Sequence, residues 1–545
     1  MPRDLLIQDV RQLANIIESS HPEPYLRSGG RIAFNRRLQQ TLASIPEEGM
    51  TAPEFFALLS PLVASVRDAH TALDPLHSPD PYAPGGIPLY FAAVEDRLWV
   101  RGVPDEAGRD LLGATLISVQ GVPVDELIRR VSRLCGADNE YTALASLGTT
   151  GYLWHAEGLA ELVPEWKDRR RVKVRLTMPS GDEVEREFDV PMEMDFPLVG
   201  PPTSLDLPST DKCDFVYDFL DDGGEVALLR IDGMTGFRED FELEGTSTSM
   251  EGLQYAWERY HGTECPEDVS EAIAGIPSAT ETFRSLVKDM RASDTQTLIV
   301  DVRRNGGGNS LMQDMLLYFL FGEDAYYWAK GLTATDVVKL SDLYFETRTH
   351  ASFQQADDAV SFPLRENDYD FQYDCTDQPD KLASLGLRDL MESYLALMPT
   401  FYQEYETGTY AGHYCPEKIV VLCSEMTFSG GFTLMWCLQE FEATIAGTPS
   451  AQAGNGFMDA LRFTLENSGL EGQISSKQVS YFPGDPEKGE ILRPDIELTY
   501  EYLASKDFDR NATVLLALEK LPDVGPVDPL RHLSAHPEPR SSPVE

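Results

Sequence analysis

Positive charge is what this chain has least of. Its 545 residues carry 45 Lys and Arg against 90 Asp and Glu, a formal net charge of −45. A surface of that sign repels phosphodiester backbones and anionic headgroups, which argues against nucleic acid or a lipid surface as partner. The bases that remain are mostly Arg, which fits solubility in high salt through screening and equally fits a GC-rich genome. Long apolar runs are missing too: no stretch of about 18 apolar residues occurs, so membrane insertion is not expected. The opening segment, Met1 to Tyr25, reads as an amphipathic helix with Asp9, Arg11 and Gln12 where a signal peptide needs an unbroken apolar core. A cytoplasmic protein is the expectation, with an exported form left open. Paired cysteines are also lacking. Cys135, Cys213, Cys265, Cys375, Cys415, Cys423 and Cys437 are odd in number and hold no CxxC spacing, which argues against a disulfide framework or a zinc site. Cys423 and Cys437 lie in apolar surroundings and read as buried thiols. HExxH is absent as well, and no metal or cofactor is expected.

What is present is a globular composition, 42% hydrophobic and 10% aromatic, over a length that suits two to four domains. Residues 1–80 read as a helical region. Thr51-Ala-Pro-Glu54 is a capping box, and the helix it opens carries Phe55, Leu59, Leu62 and Val66 on one face and ends near Arg67. Residues 81–195 hold short alternating runs, Ile87–Phe91, Leu98–Arg101 and Val172–Met178, with a helix over about Val124–Leu134: a small β-rich module. Residues 196–520 read as an α/β core containing an acidic insertion at 238–275. Its apolar runs Leu298–Val302 and Ile419–Cys423 have the character of buried parallel strands, followed by helices over Leu311–Phe321 and Gly430–Phe441. A further helix is expected over Leu387–Tyr405, broken at Pro399. Residues 521–545 read as a mobile, Pro-rich tail.

Three places carry chemistry. Ser429 follows a buried strand and a tight turn and opens a helix, where free N–H groups and the helix dipole can hold an oxyanion. The same position also suits a helix N-cap serine. Asp301-Val-Arg-Arg-Asn-Gly306-Gly307-Gly308 offers a loop able to point N–H groups into a cleft, without the Lys-Ser/Thr ending of a phosphate loop. A plain Gly-rich connection reads equally well there. His70, in Asp68-Ala-His70-Thr71 at a helix-to-loop junction, has the chemistry of a general base and also of a structural histidine. Together, nucleophile, donors and base make the set that acyl transfer requires, in an order that the chemistry does not restrict.

These segments, with Leu112–Val124 and Leu492-Arg-Pro494-Asp495, resemble the tail-specific (C-terminal-processing) serine peptidases, family S41. The matches run in order over roughly residues 4–520. The resemblance implies a ClpP/crotonase-like core of stacked β-β-α units, a PDZ-like module around Leu112–Val124, and peptide or unfolded protein as substrate. The family's Ser-Lys branch places its lysine soon after the serine; here Lys477 is the first after Ser429 and too distant. The Val66–Leu73 segment instead resembles the histidine-using, tricorn-core branch. That implies Ser429 as nucleophile, His70 as base, Gly307 and Gly430 as oxyanion donors, and Glu490, or next Glu487, as the acid completing the set. Two other readings stay open: an inactive relative that binds peptides or apolar ligands, as an interphotoreceptor retinoid-binding protein does on this fold, and a crotonase-like acyl-CoA enzyme. Oligomeric state is not readable from the sequence.

Overall fold

The computed structural model describes residues 1–74, 85–149, 151–166, 170–190, 199–245, 249–323, 335–349, 369–374, 392, 395–407 and 413–530. Its centre is a six-stranded sheet with spatial order Ile496–Glu497, Thr444–Gly447, Lys418–Cys423, Thr297–Asp301, Val226–Ile231 and Phe215–Phe219. All neighbours are parallel except the last pair. Both faces are covered, which is why Leu298, Ile299 and Val300 are all apolar and all fully buried. One face packs against the helices Ala279–Ser293, Leu311–Phe321 and Gly430–Glu440 through Phe283, Met315 and Phe432. The other meets Ala512–Lys520 through Val514 and Ala517. Because the two central strands run parallel, their C-terminal ends, carrying the Gly-rich loop and the serine turn, come out side by side.

A second, antiparallel sheet orders Tyr90–Val94, Arg97–Gly102, Thr115–Val119, Arg171–Thr177 and Glu183–Asp189, with Val122–Pro123 paired to Thr115–Val119. It closes over a separate core that includes Leu98, Val119, Leu127 and Val174. Its outer strand Glu183–Asp189 is largely exposed, matching its polar sequence. A third sheet joins the ends of the chain. Ala72–Leu73 pairs antiparallel with Glu471–Ser480, which also pairs with Asn455–Thr464 and Thr335–Lys339. The helices Arg3–Ser20, Arg31–Ala43 and Ala52–Ala64 pack on that sheet through Leu6, Leu13, Phe55 and Leu59 against Leu461 and Ile474. The capping box at Thr51 and Glu54 forms as expected.

Several expectations shift. The strand expected over Ile87–Phe91 occupies Tyr90–Val94 instead. Pro88 supplies no ladder donor, and the Ile87 N–H is taken by the Leu153 carbonyl at 2.8 Å. The acidic stretch 238–275 folds into three helices, Arg238–Glu244, Met250–His261 and Val269–Gly275, around Phe241, Leu253, Ala272 and Ile276. At Pro399 the break falls as expected: residues 392 and 395 are helical, 396–398 leave the helix, and Pro399 opens a new one, Pro399–Thr407, as suits a residue without an N–H; residues 387–391, 393 and 394 lie outside the described residues. The first part of the expected mobile tail is docked: the Val527 and Asp528 N–H groups donate to Glu417 and Phe441 carbonyls at 2.9 and 3.0 Å. Residues 531–545, and Cys375, lie outside the described residues.

Candidate active site

The serine turn is built from backbone. After the strand Lys418–Cys423 the chain reverses at Ser424–Thr427, closed by the Thr427 N–H on the Ser424 carbonyl at 2.9 Å. Thr427 Oγ1 donates to the Val302 carbonyl at 2.8 Å, and the Phe428 N–H donates to the Asn305 carbonyl at 2.9 Å. The turn is thereby tied to the loop leaving the neighbouring strand. Ser429 is then forced to φ 51°, ψ −123°, a conformation that costs a non-glycine residue about 1–3 kcal/mol. Its N–H donates to Gln452 Oε1. Its side chain makes no capping bond to the helix Gly430–Glu440. The hydroxyl is thus not spent on the N-cap role that the local sequence equally allowed.

The facing loop explains its glycines. Gly307 has φ 105°, and a Cβ there would lie 2.5 Å from the Ser429 Cβ and 2.9 Å from the Gly430 nitrogen. Gly308 has φ 128°, and its Cβ would meet the Met234 carbonyl oxygen at 2.4 Å. On the other side, a Cβ on Gly431 would meet Asn305 at 2.7 Å. Ser-Gly-Gly and Gly-Gly are therefore two halves of one close backbone approach. The Gly430 N–H has no acceptor among the described residues, as expected for the first residue of a helix. The Gly307 N–H donates to Asn305 Oδ1 at 2.8 Å, while Asn305 Nδ2 is buried without a partner.

His70 comes to the same place from the front of the chain. Its ring stacks on Phe428, the residue before Ser429, with centroids 4.5 Å apart and planes at 28°. Both ring nitrogens are buried and make no hydrogen bond. The loop that holds it is fixed by side chains. Asp68, fully buried, accepts from the His70 N–H at 2.9 Å and from the Thr71 and Ser475 hydroxyls. His21 Nε2 lies 3.3 Å from the Asp68 carboxylate, while His21 Nδ1 accepts from the Glu23 N–H. Gln473 Nε2 donates to the His70 carbonyl at 3.0 Å. Burial alone would raise the Asp68 carboxyl, but the bond from His21, the fields of His21 and His70 and the Thr71 hydroxyl outweigh it and hold Asp68 below the ordinary carboxylate range. Asp138 behaves oppositely: burial and the nearby Asp68 charge push it up, against Arg27 and His70. Its carboxylate accepts from the Ala69 N–H at 3.1 Å and the Ala453 N–H at 3.3 Å, joining the His70 loop to the segment that carries Gln452.

Glu490 and Glu487 lie on the short helix Pro486–Glu490, both exposed. The Glu490 carbonyl accepts from Asn139 Nδ2 at 3.3 Å, and no bond or ion pair joins either glutamate to His70 among the described residues. Lys477 is engaged elsewhere, 2.9 Å from Asp459 and 3.4 Å from Asp336. Burial would lower its pKa, but those two carboxylates raise it and keep the ammonium charged. No group of three or more His, Cys, Asp or Glu able to hold a metal occurs among the described residues, and none of their helices is long and apolar enough to cross a membrane. Sequence reasoning missed His21, Asp138 and Gln452. The one available signal was His21-Pro22, a histidine at the end of an amphipathic helix.

Residues 268–497 match the family model Peptidase_S41, peptidase family S41. No curated protein matches the sequence significantly. Among solved structures, mature CPAF is similar over 96% of this chain and 98% of its own, at 14% identity and TM-score 0.52. A CPAF point mutant covers the same shares at 14% identity and 0.58. Mature CPAF complexed with lactacystin covers 95% and 98% at 15% identity and 0.51. At such identities the likeness is one of fold, and it extends over nearly the whole chain rather than the matched segment alone. Family model and fold meet at the serine turn and the glycine loop, both inside the matched segment: residues 268–497 match peptidase family S41, and the chain as a whole shares the fold of the CPAF structures.

Proposed function

We propose that the chain hydrolyses peptide bonds by a Ser-His acyl-enzyme route, with Ser429 as nucleophile and His70 as general base. The observation that carries this is the imidazole of His70 lying on Phe428, next to Ser429, with neither ring nitrogen hydrogen-bonded among the described residues. His70 takes the Ser429 proton as Oγ attacks the peptide carbonyl. The oxyanion forms beside the unused Gly430 N–H; the Gly307 N–H joins it when Asn305 Oδ1 lets go. The C–N bond then breaks, His70 returns the proton to the leaving amine, and water, activated by the same imidazole, releases the acyl group from Ser429.

For the acid of the set the resemblance puts forward Glu490, then Glu487. The packing adds Asp68, which bonds the His70 backbone rather than its ring and so acts as a positioning residue. The PDZ-like role of the antiparallel module, and peptide or unfolded protein as substrate, belong to the same reading. Labelling with a fluorophosphonate probe tests it. Wild type should label at one site, Ser429→Ala should not label, and His70→Ala should label at least ~100-fold more slowly. Equal labelling of wild type and Ser429→Ala overturns the assignment.

A further inference from the structure

The cavity of about 860 Å³ between the N-terminal helices and the antiparallel module is lined by Arg27, Arg37, Arg67, Arg130 and Arg133, against only Glu161 and Glu165. The chain as a whole has two acids for every base, so this cavity inverts the composition of the molecule around it. Not all five charges are available. Arg130 pairs with Glu126 and Glu165, and Arg27 lies 3.4 Å from Asp138. Arg37 donates to the Ser28 carbonyl at 2.6 Å, which leaves its charge uncompensated. Arg37, Arg67 and Arg133 form no ion pair among the described residues. Arg133 strengthens the field that lowers Glu126 without pairing with it. Of the two lining carboxylates, Glu165 is already paired with Arg130, and burial pushes Glu161 up.

Three uncompensated guanidiniums in one concavity repel one another unless an anion joins them. The space is too large for a single small ion and suits several residues of extended chain. Hydrogen bonds link the cavity to the His70 loop. Arg67 is three residues from His70, and Arg27 donates to the Arg67 and Asn455 carbonyls and faces Asp138, which holds the Ala69 N–H. We propose that this cavity binds an acidic segment of a peptide substrate, Asp and Glu side chains meeting Arg37, Arg67 and Arg133, and so selects acidic peptides for the site at Ser429. The choice of a peptide as ligand rests on the peptidase reading; the anion preference rests on the cavity alone. In a molecule of charge −45, such a site attracts an acidic chain at short range against the repulsion of the molecule's net charge.

The test is fluorescence anisotropy with the full-length Ser429→Ala protein, which reads binding with or without hydrolysis. The probes are a fluorescein-labelled ten-residue peptide containing four Glu and the same peptide with Gln at those positions. The Glu peptide should bind at least ~10-fold tighter at low salt, and the gap should close as salt rises. Arg67→Gln with Arg133→Gln should erase the preference while leaving the Gln peptide's affinity unchanged; both side chains are exposed, so the fold should survive. Thermal unfolding checks that it does. Should the double variant be destabilised, Arg133→Glu alone reads the same preference and should weaken it severalfold. Equal affinity for the two peptides, a preference intact in the substituted proteins, or competition by inorganic phosphate as effective as by unlabelled Glu peptide each overturn the proposal. Failed fluorophosphonate labelling together with an intact Glu preference would remove the peptidase mechanism and leave the anion cavity standing.

Discussion

The serine turn and the His70 loop meet at one point but are made in different ways. The serine turn is held almost wholly by backbone: strand, reversal, helix, and a glycine loop pressed against it at contact distance. The His70 loop is held by side chains, its own buried Asp68 and Thr71 and, from far along the chain, His21, Asp138, Gln473 and Ser475. The proposed nucleophile is thus fixed by local geometry and the proposed base by a polar network. Damage to the first should act through shape, and damage to the second through charge and pH.

Three substitutions sharpen that contrast. The largest effect is expected from Gly307→Ala. A Cβ 2.5 Å from that of Ser429 must displace the turn, and a shift of about 1 Å costs on the order of 10² in rate. Fluorophosphonate labelling should slow by about that factor with little change in circular dichroism, and an unchanged rate would show that the close approach is not needed.

Asp68→Asn comes next. It removes a buried charge that accepts several hydrogen bonds, each contributing about 1.5–3 kcal/mol when an ion is involved. Because Asp68 is held below the ordinary carboxylate range, folding favours its ionised form. That stability is present above about pH 4, where Asp ionises in the unfolded chain, and is lost as pH falls below it toward the folded value. Urea unfolding at pH 7 and pH 3.5 should find the variant weaker at pH 7 and the gap smaller at pH 3.5; a gap that widens in acid contradicts the sign. Asp138, raised by burial and by Asp68, works the other way: its ionised form loses ground on folding.

The smallest effect is expected from Lys477→Met. If the base is an imidazole, removing an ammonium already paired with Asp459 and Asp336 should leave labelling within about threefold. Loss as large as that of His70→Ala would instead point to a lysine mechanism.

The same contrast decides what could be read in advance. Apolar runs bounded by Gly and Ser, such as Leu298–Val302 before Gly306-Gly307-Gly308 and Ile419–Cys423 before Ser429, report parallel strands and their exits, because strand, turn and helix are neighbours in sequence. The capping box at Thr51 was legible for the same reason. Asp138 and Gln452 were not. Each earns its place by bonding a backbone N–H hundreds of residues away or in another loop, and nothing in the residues beside it marks that partner. Glu490 illustrates the converse. Proximity to the Pro494-Asp495 motif suggested it; its side chain is exposed, while the buried Asp68 and Asp138 feel the field of His70.

The pairing of Ala72–Leu73 with Glu471–Ser480 has a consequence during synthesis. The segment bearing His70 emerges from the ribosome early, but its strand finds no pairing partner until Glu471–Ser480 has followed it. A nascent chain therefore leaves the His70 loop without that strand's support until Ser475 has been translated.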